Sequence, residues 1–194
     1  LRSGGSGIGG TGGLIKTGAG TMLVDATATY TGTTIVSNGV LAIGPSGSLG
    51  TSSSLIVLSG ATLDVSALGT LTLSPQTLGG SGTVKGNVAD AAGSVISPGT
   101  SAGTLTVSNL TLGNGGSLKM ELANVTTVGS GVNDLIQVNG DLSLNDSAPT
   151  PVNFTFLNGA PAAGTYRLMN YTGTLTGTVA GLTNTQGYAV TFTV

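Results

Sequence analysis

The stretch "GGLIKTGAGTMLVDATATYTGTTIVSNGVL", Gly12 to Leu41, sets the pattern of the whole chain. Short aliphatic runs, "TMLV", "TTIV" and "GVLAIG", are separated by turns built on Gly or Asn. Leu, Val and Ile recur with small polar residues between them, the period-2 signature of strands with one buried face. Gly18 and Gly20 stand where a helix would have to run, and break it. Just upstream, Gly7, Gly9 and Gly12 spell G-x-G-x-x-G. A dinucleotide site of that form needs a strand before it, a helix after it and an acidic residue about 20 positions on. "LRSGGS" is no strand, "GLIKTGAGTMLV" is no helix, and Asp25 and Asp64 miss the spacing. The glycines are punctuation, and no cofactor is expected.

The same rhythm runs outward from this stretch. "SLIVL", "ATLDVS", "TLTLS", "GTLTVSNLTLG", "GSLKMEL", "DLIQV" and "DLSL" all read as short strands, so the chain is all-β. Up to residue 150 the sole aromatic is Tyr30, which leaves Val, Leu and Ile to fill the interior. A sandwich or barrel of this size wants aromatic bulk, whereas a slender solenoid does not. A G-x-L-x-[VLM] unit recurs in 60–74, 102–122 and 138–149 with an irregular period of about 20 residues. Seven to nine stacked coils are expected, joined by parallel hydrogen bonds, with Thr and Ser in ladders on the outside.

Gly12, Gly13, Leu14, Lys16, Gly18, Gly20, Thr21, Tyr30, Gly32, Thr34, Ile35, Gly39 and Leu41 fall at matching positions of a known pattern. On these residues the chain resembles the autotransporter-associated β-strand repeat, also called the passenger-associated transport repeat. Met22 replaces the usual Leu, and Ala28 stands where the pattern has Asn, so the turn before Tyr30 must be held differently. The downstream "LGGSGTVKGNV" to "GVNDLIQVNGDLSL" is similar to the segment that follows such repeats, which extends the likeness over about 12–146. The resemblance implies a right-handed parallel β-helix, exported and displayed at a bacterial surface or released from it.

The chain divides into a glycine-rich segment (1–11), solenoid coils (12–149) and an aromatic-richer module (150–194). Phe154, Phe156, Tyr166, Tyr171, Tyr188 and Phe192 all lie in the last, in strands that alternate like an antiparallel meander. These aromatics either cover an open coil end or form a face for self-association or a partner. Gly18, Gly20, Gly32 and Gly39 are read as positive-φ corners. Tyr30 is expected to place its ring inside and its hydroxyl outside, and Lys16 to lie along the surface.

Only 6% of residues are charged and the net charge is −2, with no two basic residues adjacent. Nucleic-acid binding needs clustered cations, so that partner is excluded. No apolar run approaches the roughly 18 residues that span a bilayer, and "LRSGGSG" lacks a signal-peptide core. The absence of Cys and His removes thiolate metal sites, disulfides and the usual neutral-pH base. The acids are Asp25, Asp64, Asp90, Glu121, Asp134, Asp141 and Asp146. Glu121 and Asp141, 20 apart, could stack on adjacent coils, and Asp134, Asp141 and Asp146 could converge for glycoside cleavage or Ca²⁺. Their Gly and Asn neighbours favour turn capping instead. "GGSGTV" (79–84) has Val84 near the Asp slot of a calcium nonapeptide, so no metal is expected.

The sequence therefore reads as a non-catalytic extracellular or cell-surface solenoid with a structural or adhesive role. Its low charge and glycine-rich start favour homo-oligomers through the coil ends, giving a filament. A monomeric stalk segment is the alternative, and surface glycans are the further partner class, with polysaccharide binding or cleavage behind them.

Overall fold

The alternating pattern is realised in the structure, a computed structural model that describes residues 2–3, 7–129, 131–145 and 147–194. One sheet stacks Arg2–Ser3, Thr21–Val24, Val40–Ile43, Thr62–Asp64, Thr83–Ala89, Thr104–Leu112, Leu135–Val138 and Met169–Tyr171 in that order. The other stacks Leu14–Lys16, Thr34–Val36, Ser54–Val57, Thr77–Gly80, Val95–Pro98, Ser117–Leu122, Thr150–Phe156 and Leu182–Thr183. The chain passes from one sheet to the other and back, and all these pairings are parallel. The result is a parallel β-helix. The eight strands of the second sheet fall within the expected number of coils.

Alternation fixes which residues enter the lumen. Leu41, Leu63, Val84, Val107 and Val138 stack register on register in the first sheet. Leu55, Leu78, Ile96, Leu118 and Val152 do the same in the second. None of these ten is more than 1% exposed. Each such burial is worth about 1.5–3 kcal/mol, so the aliphatic columns are the main stabilising term. Outward, Thr62, Thr83 and Thr106 form a threonine ladder that Gln137 and Asn170 continue, with Asn170 Nδ2 donating to Gln137 Oε1 at 3.2 Å.

A third face opens partway along. After a 3₁₀ turn, Ser66–Leu68, the strand Thr70–Thr72 pairs with the far end of Thr83–Ala89. The far end of Thr104–Leu112, then Leu142–Leu144 and Leu175–Gly177, stack on it. The bend within Thr83–Ala89 comes at Gly86, where the register shifts and φ is +123°. A Cβ there would lie 2.9 Å from the Ser66 nitrogen, so only glycine fits the corner.

Coil length changes along the helix. Leu14 pairs with Thr34, Thr34 with Leu55, Leu55 with Leu78, Leu78 with Ile96 and Ile96 with Leu118, steps of 18 to 23 residues. Leu118 to Val152 is a step of 34, and Thr150 to Leu182 one of 32, because 123–134 and 157–168 are inserted as loops. These inserts correct the reading of the last region. Thr150–Phe156, Met169–Tyr171 and Leu175–Gly177 are not an antiparallel meander; each pairs in parallel with the coil before it. The alternation is that of coils whose period the loops have stretched. No helix among the described residues is long and apolar enough to cross a membrane.

Candidate functional site

The repeat-motif residues gather at the corners of the first coils. Leu14 and Lys16 lie in the strand Leu14–Lys16 and Thr21 opens Thr21–Val24. Lys16 is not laid along the surface as expected. It is 6% exposed, and its ammonium donates to the carbonyls of Thr17, Gly18 and Asn38 at 2.8, 2.6 and 2.9 Å. A charge that far out of water needs such partners, and the three carbonyls of a tight corner supply them. Gly18 and Gly39 have the expected positive φ, 74° and 66°. Gly32 does not; it is required by close approach, since a Cβ would meet the Gly12 carbonyl carbon at 2.6 Å. Gly20 has neither constraint, while a Cβ on Gly13 would lie 2.3 Å from the Thr33 oxygen.

Tyr30 is 1% exposed, and its hydroxyl is inside with its ring, contrary to expectation. It bonds Thr34 Oγ1 at 2.6 Å, and burial raises its pKa despite that bond. Buried Ser52 completes the corner: its Oγ accepts from the Thr34 amide at 3.0 Å, and its one hydroxyl proton lies between the carbonyls of Gly32 at 2.8 Å and Ser54 at 2.9 Å. The turn at Ala28 is held from the next coil by Ser48, whose Oγ accepts from the Ala28 amide at 2.8 Å. That is how the corner does without the pattern's Asn.

The carboxylates separate. Asp64 pairs with Lys85 at 2.8 Å; partial burial pushes its pKa up, but bonds from Lys85 and Ser66 outweigh it and lower the value. Buried Asp90 accepts from the amides of Gly113, Asn114 and Gly116, tying a turn to the next coil. Asp134 is fully buried and accepts from the Gly103 amide at 2.8 Å and the Glu121 amide at 2.7 Å. Next to it, Asn133 Oδ1 accepts from the Ala123 amide at 2.7 Å. The two side chains thus stand in for a strand beside Glu121 and Ala123, where the previous coil has peeled away after Pro98. Burial raises the Asp134 pKa to about 6, against its amide bonds, with the Glu121 charge adding to the rise and Lys119 opposing it.

Glu121 stays on the second sheet, its Oε2 buried without a partner, whereas Asp141 leads into the third-face strand Leu142–Leu144. Asp25 Oδ1 is likewise buried and unpartnered. Asp146 lies outside the described residues. Among the described residues no three acidic side chains converge as a metal site.

Two surfaces do gather sequence-distant side chains. The first is a shallow groove on the third face, about 270 Å³, lined by Thr70, Asn87, Asn109, Thr111, Asp141 and Ser143. Asn109 Nδ2 donates to Asn87 Oδ1 at 2.7 Å, and Asn109 Oδ1 accepts from the Asp141 amide at 2.7 Å. Asp141 Oδ1 in turn accepts from the Thr174 amide. Asn87 went unread in the sequence, and Asn109 is there only a chance N-x-T sequon; their separation by one coil was the available signal.

The second is a cavity of about 1040 Å³ at the last coils. Phe154, Phe156, Tyr166, Tyr171, Tyr188 and Phe192 all line it. Phe154 is 7% exposed and stacks on Phe156 at 6.3 Å, and Tyr188 meets Phe156 edge-on at 5.0 Å. Gln186 holds this end: its side-chain amide donates to the Phe154 carbonyl at 3.0 Å and accepts from the Phe154 amide.

No family model matches the chain. It is similar to the adhesin BmaC autotransporter of Brucella suis biovar 1 (strain 1330), 38% identical over 173 residues. That match covers 87% of this chain and only 4% of the adhesin's length. The similarity supports an autotransporter-related family.

Proposed function

We propose that the chain is a non-catalytic, adhesive segment of an exported protein, held at or beyond the cell surface. The likeness to an autotransporter adhesin across 87% of the chain carries the reading. The parallel coils agree with it, because a repetitive rod gives reach and a long, weakly charged surface. Beads coated with the purified chain should adhere to host cells; beads that adhere no better than albumin-coated ones would end the reading. Activity screens on acidic polysaccharides should return nothing.

Within that reading the specific repeat family and the coil-end association remain our proposals. Among the described residues, the outermost strands Leu14–Lys16 and Leu182–Thr183 of the second sheet each have one edge without a strand partner, which a second copy can extend in parallel. The module 150–194 then serves as the cap or contact face at its end. Electron microscopy at high concentration should show end-to-end filaments, and uniform monomers would remove this part alone. Surface glycans suit the polar groove on the third face, where Asn87 and Asn109 present amides a coil apart. Glycan-array signals that survive Asn109→Ala would exclude that groove.

A further inference from the structure

The cavity at the last coils is filled by neither the cap nor a stacked coil. Its floor is dry: Leu122, Leu144 and Phe154 are 4%, 4% and 7% exposed and belong to the continuous core. Its walls come from 161–171 and 188–194. Its volume of about 1040 Å³ is at the upper end of the 300–1000 Å³ or so typical of small-molecule sites. At the rim stands exposed Arg167, whose Nη1 donates to Asn170 Oδ1 at 3.3 Å. Among the described residues the sole ion pair is Lys85–Asp64, so no carboxylate lies within ion-pair distance of the guanidinium.

We propose that this cavity binds a free single-chain amphiphile with an anionic head, such as a long-chain carboxylate, its tail on the Leu122–Leu144–Phe154 floor and its head at Arg167. Charge and shape together select this class. A hole with an aliphatic and aromatic floor, polar wall residues such as Thr165, Asn170 and Thr191, and one cation at its mouth matches a molecule with an apolar tail and a negative polar head. A bilayer is too broad for a cavity walled by two segments of chain.

Calorimetric titration with lauric acid tests the proposal. One molecule should bind per chain, and each methylene added from octanoic to lauric acid should tighten binding about fourfold. Arg167→Gln, at an exposed position, should weaken lauric acid about fivefold and leave lauryl alcohol unchanged. Val179→Trp, which projects bulk into the cavity from a surface turn, should abolish binding of both. Circular dichroism melts show whether either variant stays folded. No binding of lauric acid to the wild-type chain overturns the proposal. So does equal affinity for acid and alcohol, lauric acid binding unaffected by either variant, or flotation with phosphatidylglycerol vesicles in place of binding to the free acid. Sedimentation that shows the cavity closed by dimerisation, with binding lost on concentration, would assign it to a second copy instead.

Discussion

The early coils and the late coils use one ladder but close their corners differently. Between Leu14 and Leu118 the chain advances 18 to 23 residues per coil, and corners are closed by glycine, by the buried hydroxyls of Tyr30, Thr34 and Ser52, and by Lys16. Beyond Leu122 the coils carry loops, and side-chain amides and carboxylates of Asn133, Asp134 and Gln186 replace missing ladder partners. The early lumen is solid with Leu, Val and Ile, while the late lumen leaves a cavity. Regular period gives dense packing; inserted loops give space, and space is where a ligand can enter.

Core truncation should break this comparison most sharply. Leu63→Ala, in the dense part, should cost about 3–5 kcal/mol, whereas Leu144→Ala, beside the cavity, should cost less than about 3, read by urea denaturation. Equal losses would mean that the two lumens are packed alike. Lys16→Met should cost about 2–3 kcal/mol by leaving buried carbonyls without a donor, and Lys16→Arg should recover part of it.

A late corner should respond to pH through Asp134. Asp134 has a folded pKa of about 6, above its unfolded value of 3.8, so its contribution is fully present below 3.8 and is lost as pH rises through about 6. Glu121 and Lys119 are the charged groups that act on it. The melting temperature should therefore be higher at pH 5 than at pH 7.5, by an amount equivalent to about 1–2 kcal/mol, and Asp134→Asn should flatten that part of the profile. Smallest of all, Tyr30→Phe should cost about 1 kcal/mol in chemical denaturation, through Thr34 and Ser52 losing one partner of their network.

The strands, the coil period and the outward threonines were legible because period-2 alternation is local. Lys16 was misread because a lysine is usually solvated, and the carbonyl of Asn38 that helps to bury it lies one coil away. The parallel pairing of Thr150–Phe156 was hidden because a step of 34 residues destroys the period by which coils are recognised. Asp134 was legible as a turn cap, but which backbone amides it reaches depends on where Pro98 releases its strand, and Asp90, between two alanines, gave no such signal. The six aromatics were picked out as a group; that they surround one hollow follows from loops whose course no pattern encodes.

Because every rung bonds only to the rung above and the rung below, tension on the rod is carried in series. The filling is thinnest at the aromatic end, so failure under load is expected there first. Each long coil that lets go there frees 32 to 34 residues, a slack of about 100 Å or slightly more when drawn straight. Load on such a rod would be met by stepwise lengthening before the rod parts.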